Sequence, residues 1–402
     1  MERWQEIVGA EHVRQEGGRV AIEPANEEQV AAALRLCGAE GLCVTAAGGG
    51  TKAGWGNTVA ADVMLRTTRL HGVREHSWQD LTATVGAGTT WAAMQHELAK
   101  HGQRVALDPL FAARATVGGV LSTNDCGLLR MRYGSLRDLV IGMTIVLADG
   151  TIARAGGKVV KNVAGYDLPK LLTGSFGTLG IITEATFRLH PLQKHVANYT
   201  VRCPDVALLA ELMHRIVTAG LSLEAMQLRH EADAFAIDVQ FAAVSEALHE
   251  HEGRLREIAG ALQVERCEED LYARREALFN IADATVLKVT APSTKLAALV
   301  AGFAQLADAG ATASAVADRA GVVTVALVAA PTELATVIED LRARLFGVGG
   351  SVVVLVRGAL PGDVDPWNDA SHPPPALDLM RAIKHEFDPA RLLNRGRFVG
   401  GL

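Results

Sequence analysis

Lys161-Asn162-Val163-Ala164-Gly165-Tyr166-Asp167-Leu168-Pro169-Lys170-Leu171-Leu172, followed by Gly174-Ser175-Phe176-Gly177-Thr178-Leu179-Gly180-Ile181-Ile182, is the stretch on which the reading of the fold turns. Glycines 174, 177 and 180 fall at spacing three and lead into an apolar run that reads as a strand. Two more glycine-rich loops lie upstream. The strand expected over Leu42 to Ala47 runs straight into Gly48-Gly49-Gly50-Thr51-Lys52, where successive N–H groups can point at a phosphate. The second, Ala115-Thr116-Val117-Gly118-Gly119-Val120-Leu121-Ser122-Thr123-Asn124, is apolar enough to be buried yet carries hydroxyls and an amide that then need partners. A single Gly-Gly-Gly is more often a plain turn. Neither the Gly-x-x-x-x-Gly-Lys-Ser/Thr of a P-loop nor the Gly-x-Gly-x-x-Gly of a Rossmann turn is present. Three such loops in one domain, each opening or closing an element, are what a large diphosphate cofactor lying along a cleft requires.

Composition narrows the class. The 402 residues are enough for about two or three domains, and 49% of them are hydrophobic. Lys and Arg number 39 against 45 Asp and Glu, a formal net charge of -6, so no basic field exists to hold nucleic acid. No apolar run approaches the ~18 residues of a membrane span, and Met1-Glu2-Arg3-Trp4-Gln5-Glu6 lacks the apolar centre of a secretory signal. The expected setting is the cytoplasm. Five cysteines, Cys37, Cys43, Cys126, Cys203 and Cys267, are dispersed with no Cys-x-x-Cys pair, which argues against disulfides, structural zinc and an iron–sulfur cluster.

The pattern is α+β. Helices are expected at Glu27 to Gly38 and Trp91 to His101, and strands at Thr82 to Val85 and Leu139 to Leu147. Beyond His190-Pro191 the chain reads as an α/β cap, with helices at Ala207 to Ala219, Ser245 to Ala261, Lys295 to Ala309 and Glu333 to Leu345. Strands are expected near Ala234 to Phe241, Val322 to Val328 and Ser351 to Val356. Pro361 to Pro375 reads as a proline-rich linker before a short amphipathic helix, Ala376 to Phe387. The expected divisions are 1–193, 194–360 and 361–402.

The quoted block resembles the FAD-binding domain of the vanillyl-alcohol oxidase superfamily, the PCMH type, and within it the FAD-binding E subunit of bacterial glycolate oxidase. The resemblance runs over about the first 193 residues through the Gly-Gly-Gly-Thr loop, Val85-Gly86-Ala87-Gly88, Leu107-Asp108-Pro109, Thr116 to Asn124 and Arg132-Tyr133-Gly134. It resumes at Phe387-Asp388-Pro389 and Leu393-Asn394-Arg395-Gly396-Arg397. It implies a two-part FAD-binding domain, a cap that selects substrate, and a tail returning to the first domain. Gly48, Gly49, Gly50 and Thr51 would wrap the pyrophosphate, with Lys52 adding charge. Thr116, Gly118, Gly119, Ser122 and Asn124 would line the ribityl chain and flavin, Pro109, Gly165 and Tyr166 would sit by the ring, and Gly180 with Ile182 would meet the adenine half. The first loop lacks the His, and Cys126 alone does not supply the pair, that doubly linked relatives use, so noncovalent FAD is expected.

For catalysis the resemblance implies a carboxylate clamp at Lys288 and Arg274 or Arg275, and His372 is the candidate base. His249 and His251, two apart on a helical stretch, point to different faces, and no metal is assigned. Phe176 stands where many catalytic relatives have Glu, in keeping with the shorter subunit. The implied activity is oxidation of a small 2-hydroxy acid, glycolate to glyoxylate. A second flavoprotein subunit and an iron–sulfur subunit would carry electrons onward, at the inner face of the cytoplasmic membrane. The alternatives are a stand-alone FAD-dependent 2-hydroxyacid or alcohol dehydrogenase and a flavoprotein subunit with a purely structural role.

Overall fold

The computed structural model describes all residues except 159–164, 232–233, 363 and 368–372, and the side chains of 308 and 309. The chain divides into two units: Met1–Cys126 with Tyr133–Leu192 and Pro373–Leu402, and Gly127–Arg132 with Gln193–His372.

In chain order the strands of the first unit are β1 (Val13–Glu16), β2 (Arg19–Ile22), β3 (Val44–Ala47), β4 (Val63–Arg66), β5 (Val73–Ser77), β6 (Thr82–Gly86), β7 (Gln103–Arg104), β8 (Val140–Val146), β9 (Ile152–Gly156), β10 (Ile181–Arg188) and β11 (His190–Pro191). They form a sheet ordered β1-β2-β4-β3, a sheet ordered β5-β6-β10-β8-β9, and the pair β11-β7. β2 and β3 both pair in parallel with β4, and the helix Glu27–Glu40 supplies the crossover from β2 to β3, while residues 48–62 with the glycine loop connect β3 to β4. That helix starts where Asn26 accepts a hydrogen bond from the Gln29 amide, and it ends at left-handed Gly41. It buries Val30, Leu34 and Cys37 against β3 and β4. β3 begins two residues later than its sequence suggests, because the Leu42 amide closes the helix onto the Cys37 carbonyl and the Cys43 amide donates to Asp62. Likewise Leu136–Leu139 is a helical turn, held by Asp138 accepting from the Ser135 amide and hydroxyl, so β8 starts at Val140.

The tail comes back to β3. Val44 donates to the Leu392 carbonyl and accepts from Asn394, both at 2.8 Å. The helix Leu377–Phe387 presents a buried Lys384, whose ammonium reaches the Asp388 carboxylate (2.6 Å) and the carbonyls of Thr178 (2.7 Å) and Leu393 (3.1 Å). Asp388, wholly buried, also accepts from the amides of Leu392 and Leu393. Burial pushes the Lys384 pKa down even with this carboxylate beside it.

The second unit is an antiparallel sheet of β12 (Val196–Cys203), β13 (Leu223–Glu231), β14 (Ala234–Ala242), β15 (Val264–Cys267), β16 (Thr285–Thr290), β17 (Thr312–Asp318), β18 (Val322–Val328) and β19 (Ser351–Val356). Its order is β15-β12-β14-β13-β17-β18-β16-β19. One face, with Tyr199, Leu228, Ile237, Val325 and Leu287, packs on the helices Val206–Thr218, Ser245–Ala259, Leu296–Ala304 and Pro331–Phe346. The alternate residues put polar groups on the other face. There the fully buried Asp238 accepts from Thr200 (2.8 Å), Gln227 (2.7 Å) and both Nε (2.6 Å) and Nη2 (3.1 Å) of Arg229, so its charge is met on every side. Among the described residues no helix is long and apolar enough to cross a membrane.

Asp388→Ala strands the Lys384 ammonium in the interior, and chemical denaturation of the first unit should show a loss of about 3–5 kcal/mol. Burial pushes the Cys37 thiol up to about 12 and Cys203 up to about 11. Alkylation of native protein at about pH 8 should therefore mark the half-buried Cys43 and Cys267, and reach Cys37 and Cys203 only after unfolding.

Candidate functional site

β3 delivers its glycine loop against the start of the helix Val117–Thr123. A Cβ on Gly48 would lie 2.0 Å from the Thr116 hydroxyl, and one on Gly49 would lie 1.8 Å from the Arg114 carbonyl oxygen. Neither position has room for any side chain. Thr116 caps the helix by accepting from the Gly119 amide (3.3 Å), and the Gly118 amide donates to the Ala87 carbonyl (2.8 Å). The third loop docks on the same helix: the amides of Gly174 and Phe176 donate to the carbonyls of Leu121 and Ser122. Phe176 and Gly177 both take positive φ, and Asn394 from the tail donates to the Phe176 carbonyl (2.7 Å). The three loops and the tail enclose a cavity of about 410 Å³.

Gly48, Gly49, Gly50, Thr51, Lys52, Thr116, Gly118, Gly119, Ser122, Gly180 and Ile182 all line it. Lys52 does so with its ammonium turned to Asp125 (3.2 Å) and the Leu110 carbonyl (3.1 Å), so the charge expected at a pyrophosphate is held in a buried ion pair. Pro109, Asn124, Gly165 and Tyr166 are not among the lining residues. Pro109 is buried, Asn124 ends the helix in the left-handed region with its side-chain oxygen 3.6 Å from the Cys126 sulfur, and the Tyr166 side chain is 92% exposed. Tyr133 packs its ring on His190 and accepts from Arg104.

Arg397, which the sequence reading assigns no role, also lines the cavity. It donates to the carbonyls of Lys52 (2.9 Å) and Trp55 (3.3 Å) and lies over the Phe176 ring, and burial pulls its pKa below the usual guanidinium range. The run Asn394-Arg395-Gly396-Arg397, a cation next to a glycine turn, is the signal that points to it. Backbone N–H groups, the hydroxyls of Thr51, Thr116 and Ser122, and the Arg397 guanidinium together fit a diphosphate-bearing cofactor.

In the second unit Arg275 donates from Nε to the Thr324 hydroxyl (3.1 Å), and Lys288 on β16 pairs in register with Thr324 on β18, so the two cations come to one patch of the polar sheet face. Arg274 is instead ion-paired with Glu269. His372 lies outside the described residues.

Residues 19–156 match the FAD binding domain family, and residues 363–398 match the C-terminal domain of FAD linked oxidases. The chain is 35% identical over 187 residues to a D-lactate dehydrogenase of Archaeoglobus fulgidus, covering 46% of this chain and 42% of that protein. It is 33% identical over 201 residues to glycolate oxidase subunit GlcD of Bacillus subtilis, covering 50% of this chain and 43% of that protein. The chain thus spans about two fifths of the length of these relatives. The solved structure of p-cresol methylhydroxylase superposes with a TM-score of 0.76 over 98% of this chain and 95% of that one, at 15% identity, a likeness of fold.

Gly49→Ala should yield protein with less than about a tenth of the parent's flavin absorbance, because the loop must shift off Arg114. Gly54→Ala, on the same cavity with nothing within 4 Å of the added carbon, should keep it. The first unit is an FAD-binding domain of the PCMH-type fold, and the tail is the C-terminal segment found in FAD-linked oxidases.

Proposed function

We propose that the chain holds FAD noncovalently in the cavity of the first unit and oxidises the CH–OH group of a small 2-hydroxy acid, with glycolate as first candidate. The observation that carries the cofactor half of this reading is the convergence of the three glycine loops on one cavity. The substrate half is supported by the Arg275–Thr324–Lys288 patch and by similarity to a D-lactate dehydrogenase and to a glycolate oxidase subunit. Noncovalent binding is supported by a first loop without histidine and by the burial of Cys126.

When bound, the flavin supplies the acceptor for the two electrons and the α-hydrogen that the alcohol gives up. The protein's own part is orientation and proton transfer. Lys288 and Arg275 hold the substrate carboxylate, a charge-assisted contact that fixes which hydrogen is presented. Thr324 fixes the Arg275 guanidinium, and His372 is the proposed acceptor of the hydroxyl proton. With five dispersed cysteines and no cluster motif, the electrons leave through a partner carrying iron–sulfur centres, with a second flavoprotein subunit alongside. Such partners would bring this chain to the cytoplasmic face of the membrane.

Purified protein should show flavin bands that bleach on anaerobic addition of glycolate or D-lactate. Lys288→Ala should lower kcat/KM about a hundredfold at unchanged flavin content. Bands that never appear, even with added FAD, would overturn the cofactor assignment. A full complex whose turnover is indifferent to Lys288→Ala would overturn the substrate site.

A further inference from the structure

The second unit holds another cavity, of about 280 Å³, that the proposed reaction does not use. It forms where β13 breaks register with β14 between Leu223 and Ala225, a bulge that leaves Glu224 as the extra residue. Bulges re-aim side chains, and here the Glu224 side chain is almost fully buried, with Arg132 Nη1 3.3 Å from its carboxylate. Arg319 lines the same cavity from the turn between β17 and β18. An arginine on a hairpin turn ordinarily extends into water. This one is half-buried, and among the described residues it makes no ion pair and no side-chain hydrogen bond.

Among the described residues that line the cavity, Arg132 is paired with Glu224, and Arg319 is the cation left without a counter-charge. Met131 and Met226 also line the cavity, and a half-buried guanidinium favours a counter-charge beside it. A singly charged anion restores neutrality, whereas a dianion would overshoot it. The planar fork of a guanidinium matches the two oxygens of a carboxylate. We propose that this cavity is a binding site for a small monocarboxylate, held by Arg319 and Arg132. None of Lys288, Arg275 and Thr324 lines this cavity. The site therefore stands or falls independently of the reaction proposed above.

Met131 and Met226 report on the cavity directly. In flavin-loaded protein carrying 13C-methyl methionine, with the two signals assigned by Met→Leu variants, acetate and glycolate should shift both saturably below about 50 mM, well above a millimolar Kd. Sodium chloride should not. Arg319→Gln should weaken the response at least about tenfold. It should leave the melting temperature unchanged, since Arg319 has no partner among the described residues to lose, and Lys288→Ala should leave the response intact. Methionine signals that ignore acetate, or that shift equally in Arg319→Gln, would overturn the site. Inorganic phosphate competing as strongly as acetate would overturn the carboxylate assignment.

Discussion

Lys384 and Asp388 are one helical turn apart, and between them they bind three parts of the first unit that have no local reason to meet. The ammonium draws the third glycine loop, through Thr178, onto the tail, through Leu393, while the carboxylate fixes the tail's own amides. Everything beyond follows from that placement. Asn394 reaches the Thr45 hydroxyl and the Phe176 carbonyl, and Arg397 reaches back to the first loop. A buried pair of this kind is weak evidence for net stability, since both ions lose their water. Its contribution is to register, because the tail can lie against β3 in only one way that leaves neither charge alone.

The glycine loops act at shorter range. At Gly48 and Gly49 the backbone of one loop presses on a hydroxyl and a carbonyl of the next, an approach that any Cβ would prevent. The cavity owes its walls to missing side chains as much as to present ones. Its charge is similarly indirect. Lys52, the obvious cation, neutralises a buried aspartate, which leaves Arg397 from the far end of the chain to face the cavity.

Much of the first unit was legible in the sequence because its signals are local. Caps, glycine turns and apolar periods mark elements within a dozen residues, and the glycine loops they flank lie on the cavity, whereas Pro109, Asn124, Gly165 and Tyr166 do not. Boundaries shifted where a side chain captured a backbone amide, as Asp62 does for Cys43 and Asp138 for Ser135. The second unit hid five of its sheet's eight strands. β13 carries Glu224, Gln227, Arg229 and His230, a composition that does not read as a buried strand, and yet all four are buried. Gln227 and Arg229 are compensated by Asp238 on β14, which Thr200 on β12 also meets, while Glu224 is met by Arg132, and such pairing is not visible in a window of one strand. The same holds for Lys52 and Asp125, whose separation along the chain conceals their contact.

The return of the tail to β3 places most of the second unit as an insertion within the first, because residues 193–372 lie between two segments of the first unit. During synthesis the glycine loops emerge early but lack the strand partner, the Asn394 amide and the Arg397 guanidinium that complete them. The inserted unit has all its strands before that tail leaves the ribosome, whereas the first unit still lacks its last segment. The cofactor cavity is then the last part of the molecule to take shape, and any chain cut short before residue 384 is left with open loops and an unclosed sheet edge.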